Sequence, residues 1–170
     1  AASGGTKITS STKVTTASNH TLYAQWNPIK VTGINVSYSG ITSMNYGSSF
    51  GASVTVTPSN AYNKVVTWSS SNTSVLTVSN GTIKAVGVGK ATITATAADG
   101  SGVKQSFTIT VNPTISISGG STGSSSTTLT ASVKPSGGTV TWSSSNTGIA
   151  TVNSSGKITS KGTGTVTITA

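Results

Sequence analysis

A phrase that occurs twice constrains this chain more than any single residue does. Val65–Val78 reads VVTWSSSNTSVLTV and Thr139–Val152 reads TVTWSSSNTGIATV, an offset of 74 residues. With one extra residue in the second copy the match continues at an offset of 75, SNGTIKAVGVGKATITA (Ser79 to Ala95) facing NSSGKITSKGTGTVTITA (Asn153 to Ala170). Solenoid repeats have periods of roughly 20 to 50 residues, so this longer period marks a whole small domain repeated. Two Asn-Pro pairs, Asn27-Pro28 and Asn112-Pro113, each follow a strand-like run. Proline restricts the residue before it and stops a ladder, which places the expected domains at 28–112 and 113–170, behind a leading segment 1–27. Linkers that hold little beyond these pairs predict stiff coupling between neighbours.

Within each copy the hydrophobic pattern has period two. In the first, Phe50, Ala52, Val54 and Val56 alternate with polar residues, as do Val66 and Trp68, then Ala91, Ile93 and Ala95, then Phe107, Ile109 and Val111. Such alternation predicts strands with one buried and one wet face. Threonine fills most of the alternate positions, keeping β propensity on a polar face. Turn signals at Pro58-Ser59-Asn60, Ser70-Ser71-Asn72, Asn80-Gly81, Gly87-Val88-Gly89 and Asp99–Gly102 separate the runs. Short strands with turns every 8 to 12 residues or so predict an all-β chain of two immunoglobulin-like β-sandwiches in tandem. The second copy offers Leu129, Ala131, Val133, then Val140, Trp142, then Val166, Ile168, Ala170. It is expected to lack the counterpart of the last strand, Gln105 to Val111, and so to expose an unpaired edge.

Composition narrows the function. Ser and Thr make up 65 of 170 residues, and the chain has one acid (Asp99), one histidine (His20) and no cysteine. That leaves almost none of the general acids, bases, nucleophile pairs or metal ligands that enzymes use, so no catalytic residue, cofactor or metal site is expected. Asp99, in a turn sequence, is expected to cap a hairpin, and calcium would need several more carboxylates. The same shortage argues against a Lys–Asn isopeptide crosslink. The run Gly87–Thr92 is no phosphate-binding loop, because Lys84 stands where the opening glycine belongs and Ala91 where Ser or Thr is needed. All ten cations are lysines, scattered from Lys7 to Lys161, giving a net charge of +9. Scattered lysines without arginine are not a nucleic-acid footprint; they keep modules soluble, or attract anionic wall polymers or glycans. No run of about 18 apolar residues exists and no signal-peptide pattern opens the chain, so neither a membrane span nor a leader is expected and the sequence reads as a fragment or processed product.

Trp68 and Trp142 occupy matching places in the repeat beside alternating valines, and are expected in the cores, each contributing on the order of 3 kcal/mol against truncation to alanine. Tyr38, Tyr46 and Tyr62 lie in loop-like stretches without partners in the second copy; lining one surface, they would stack on sugar rings. His20 falls in an expected turn, as do the Asn-x-Ser/Thr sequences.

With these residues in view, Thr57–Ser101 and its shorter echo from Lys134 to Ala170 resemble the bacterial immunoglobulin-like domain, group 2. The resemblance implies a sandwich with a core tryptophan, used as a repeated spacer in adhesins and other bacterial surface proteins, without catalytic residues. Residues 4–26, GGTKITSSTKVTTASNHTLYAQW, resemble the closing portion of the Listeria-Bacteroides (internalin B-type) repeat. Together they imply an extracellular, non-catalytic stalk whose partners are the other domains of a surface protein. Alternatives are a fibre in which the N-terminal strand of one copy (Lys7 to Thr15 or Thr21 to Trp26) fills the open sandwich of the next, and a weak glycan or wall-polymer binder.

Overall fold

A computed structural model of the chain describes residues 9, 11, 13, 27–120 and 126–170. The internalin-type segment, His20 and the two candidate donor strands lie outside the described residues. Every element among those described is a strand. The chain is all-β, built as immunoglobulin-like sandwiches.

In the first copy the strands are β1 (Gly33–Ser37), β2 (Ser43–Asn45), β3 (Ser49–Gly51), β4 (Ser53–Thr57), β5 (Val66–Ser70), β6 (Leu76–Ser79), β7 (Thr82–Ala85), β8 (Gly89–Ala97) and β9 (Lys104–Asn112). One sheet has the order β2-β9-β8-β5, with β2 parallel to β9 and the other pairs antiparallel. Facing it are the β3-β7-β6 sheet and the β1-β4 pair. The expected run Phe50–Val56 is split at Ala52 into β3 and β4; its N–H donates instead to the Gly81 carbonyl at 2.8 Å. Inward residues at period two form the core: Leu76, Ile83, Ala85, Ala91, Ile93, Ala95, Phe107, Ile109 and Val111 are all buried. Leu76, Ile83, Ile93 and Ile109 have no exposed surface, and full burial of such a side chain stabilises by about 1.5–3 kcal/mol. A smaller cluster of Val31, Ala61 and Ala97 closes the end where the chain arrives.

The second copy has β10 (Thr114–Gly119), β11 (Ser126–Lys134), β12 (Ser143–Ser144), β13 (Ala150–Val152), β14 (Lys157–Ser160) and β15 (Ile168–Thr169). They form a β10-β11-β14-β13 sheet and a β12-β15 pair. The pattern matches the first copy, β12 answering β5, β13 and β14 answering β6 and β7, and β15 answering β8. Val140, Trp142 and Val166, expected on strands, fall just outside β12 and β15, which hold two residues each. Among the described residues Ala150 is the only buried hydrophobic side chain of this copy, and Ile115 and Ile117 on β10 are 49% and 45% exposed.

Candidate functional site

The feature built most completely in both copies is the corner made by the repeated Trp-Ser-Ser-Ser-Asn phrase. In the first copy the Ser70 hydroxyl accepts the Asn72 N–H (3.3 Å), and the Ser71 hydroxyl accepts the Thr92 N–H (2.8 Å). Ser71 also donates its own N–H to the Thr92 carbonyl (2.9 Å), so one residue ties the end of β5 to β8 twice. The Asn72 side-chain oxygen accepts the Ser74 N–H (3.0 Å), while its carbonyl accepts from Val75 and Leu76. These short polar side chains bond their own backbone two residues on, which is why they make turns and leave strands.

The second copy repeats this bond for bond. Ser144 accepts from Asn146 (3.3 Å), Ser145 accepts from Thr167 (3.0 Å), and the Asn146 side chain accepts from Gly148 (2.9 Å). The Asn146 carbonyl accepts from Ile149 and Ala150, and Ser145 N–H donates to Thr167. The sequence marks these residues as turn formers; that each hydroxyl is consumed by a particular N–H becomes visible only in the structure.

The indoles sit behind this corner. Trp68 is half-buried and packs against the main core of the first copy. Trp142 is half-buried too. Each stands over a buried glycine with φ of +80°, Gly81 under Trp68 and Gly156 under Trp142. A Cβ on Gly81 would collide with the Ala52 carbonyl oxygen, and one on Gly156 with that of Leu129. Only glycine meets both the left-handed backbone and the close approach. The glycine carbonyls accept from Ala52 (2.8 Å) and Leu129 (2.9 Å).

The structure does not bring the three tyrosines together. Tyr38 stacks on Phe107, ring centroids 4.1 Å apart and planes within 8°, so one of its faces is occupied. Tyr46 packs against the same core, and only Tyr62, 83% exposed, lies open. Tyr62 borders a cleft with Pro28, Ile29, Lys30, Asn63, Ala98 and Asp99.

Asp99 does more than close its own turn. One carboxylate oxygen accepts the Ser101 N–H at 2.9 Å, and the other accepts the N–H of Val31, 68 residues away. The Ser101 hydroxyl and then the Val31 N–H favour the charged form and hold its pKa at about 2, below the ordinary 3.8. No group of three His, Cys, Asp or Glu side chains placed to hold a metal occurs among the described residues, and none of their helices is long and apolar enough to cross a membrane.

Comparison with known proteins fits this geometry. Residues 30–108 match the bacterial Ig-like domain (group 2), and residues 127–170 match the intimin immunoglobulin-like domain. The two matches support tandem bacterial Ig-like domains. No curated protein matches. Among solved structures, the S-layer protein rSbsC is 17% identical over 84% of this chain and 26% of its own, with a TM-score of 0.35. A C-terminal fragment of intimin, solved with the intimin-binding domain of its translocated receptor, is 23% identical over 82% of this chain and 58% of its own, with a TM-score of 0.42. Domains 4 and 5 of the S-layer protein SbsC are 19% identical over 82% of this chain and 91% of their own, with a TM-score of 0.32. The chain thus spans less than two thirds of the first two.

Proposed function

We propose that this chain is a non-catalytic spacer of a bacterial surface or secreted protein, two Ig-like domains in series with boundaries at Asn27-Pro28 and Asn112-Pro113. The observation that carries the reading is the twice-built corner: its Ser and Asn groups are spent on backbone N–H groups, which makes them architecture. The match of each copy to a bacterial Ig-like family supports a surface or adhesion context. Small-angle scattering tests it. A spacer gives a maximum dimension above about 60 Å, twice the roughly 30 Å that a nine-residue strand spans; a compact particle near the smaller value contradicts it.

A second reading, assembly of copies by strand addition, draws support from the half-exposed Ile115 and Ile117. An apolar strand face of this kind gains from a covering strand. Light scattering that finds only monomers at all concentrations removes it. Binding of anionic wall polymers is left to the lysines, since Tyr38 and Tyr46 are engaged in packing; retention on a polyanion column that falls with salt is the expected sign.

A further inference from the structure

We infer that Asp99 and Gln105, both on the β8–β9 hairpin, form a two-point side-chain latch that holds the leading strand of the first copy to the opposite sheet. β1 has backbone pairing to β4 alone, from Gly33 opposite Thr57 to Ser37 opposite Ser53. Two residues of this leading segment are buried, Val31 at 2% and Val36 at 5% exposure. Their N–H groups are the ones taken by distant side chains: Val31 by the Asp99 carboxylate, and Val36 by the Gln105 side-chain oxygen at 2.8 Å, 69 residues on.

The chemistry explains the pairing. A buried N–H without an acceptor costs as much as a lost hydrogen bond or more, and the neighbouring strand supplies no carbonyl here. Gln105 stands in an inward slot of β9, in step with Phe107, Ile109 and Val111, where a polar residue is otherwise out of place. Asp99 is the only Asp or Glu in the chain, and it is spent on this contact. Loss of either side chain leaves a buried donor unmet and loosens β1 locally, with the core between β7, β8 and β9 intact.

The latch is acid-sensitive at one point. The lowered pKa of Asp99 means that its contribution is complete above about 3.8 and fades as pH falls from there through about 2. Lys30 on the leading segment and Tyr62 on the β4–β5 loop line the same cleft, Lys64 of that loop donates to the Ser59 carbonyl, and Lys104 opens β9. None of these is a carboxylic acid, so titration in this range reads Asp99 and the chain's terminal carboxylate.

The latch rests on contacts inside the first copy. A compact scattering profile would therefore sink the spacer reading and leave the latch standing. If the chain does act as a spacer, tension applied ahead of Val31 meets the latch first.

Amide hydrogen exchange on the full 170-residue chain tests the proposal, with Ile93 and Ile109 as core references. Asp99→Ala is expected to lower protection at Val31 by about tenfold or more while Val36 and the core amides hold, and Gln105→Ala to do the reverse. Asp99→Asn, which keeps an oxygen acceptor without the charge, falls between. In the unsubstituted chain, acidification from pH 5 to 2 lowers protection at Val31 and spares Val36. Unchanged protection at Val31 in Asp99→Ala, or a uniform fall across β1 and the core in both variants, overturns the latch.

Discussion

The two copies share their corners and differ in their cores. Around each tryptophan the same hydroxyls, asparagine and glycine make the same bonds, within 0.2 Å for the paired Ser71 and Ser145 contacts at 2.8 and 3.0 Å. Yet the first copy buries a continuous cluster and the second buries Ala150 alone among its described hydrophobic side chains. Six of the first cluster's buried residues sit on β8 and β9 (Ala91, Ile93, Ala95, Phe107, Ile109 and Val111), and the 170 residues hold no counterpart of β9. Local hydrogen bonding therefore shapes this fold, whereas long-range apolar pairing stabilises it. The short polar phrase is enough to form a corner without a finished core beneath it.

The largest test of that contrast is core truncation. Ile93→Ala, at a fully buried position, should cost about 2–5 kcal/mol in urea unfolding of the first copy. Ile115→Ala, at a half-exposed one, should cost below about 1 kcal/mol. Comparable losses would break the comparison. Next comes truncation of the indoles. Trp68→Ala should cost about 3 kcal/mol because the ring is packed on a full cluster, and Trp142→Ala clearly less, as read by circular dichroism melts.

The corner devices should behave alike in both copies. Gly81→Ala and Gly156→Ala each force a strained backbone against a carbonyl oxygen, at about 1–3 kcal/mol apiece. A large effect at one and none at the other would show that the corner depends on the core after all. Smaller again, Asn72→Ala and Asn146→Ala should each cost about 1 kcal/mol through the lost side-chain acceptor, measurable as matched shifts in the two copies.

Much of this was legible in the sequence. Period-two alternation at Ala91–Ala95 and Phe107–Val111 located the two longest strands of the first core, because a buried face leaves a clear signature. The family resemblance of the repeat agrees with the profile matches. β1, β2 and β10 were not legible: β1 and β10 run through GINVS and TISISG, where glycine, serine and asparagine blunt β propensity, and β2 is only Ser43–Asn45. Tyr38 and Tyr46 read as loop residues because nothing in their own neighbourhood reveals Phe107, some 60 residues away, or the core. Asp99 read as a local turn for the same reason, since Val31 is distant in sequence. Gln105 carried a usable signal, a polar residue in an inward slot, that the alternation alone did not interpret.

The central claim is that the corners are equivalent while the cores are not. It is tested most directly by two single-tryptophan versions of the 170-residue chain, both with Trp26→Phe, one keeping Trp68 and the other Trp142. Followed by fluorescence through a urea titration, the Trp142 reporter should unfold at clearly lower urea and with a shallower slope than the Trp68 reporter, because less surface is exposed when it melts. Coincident midpoints and equal slopes would contradict the account.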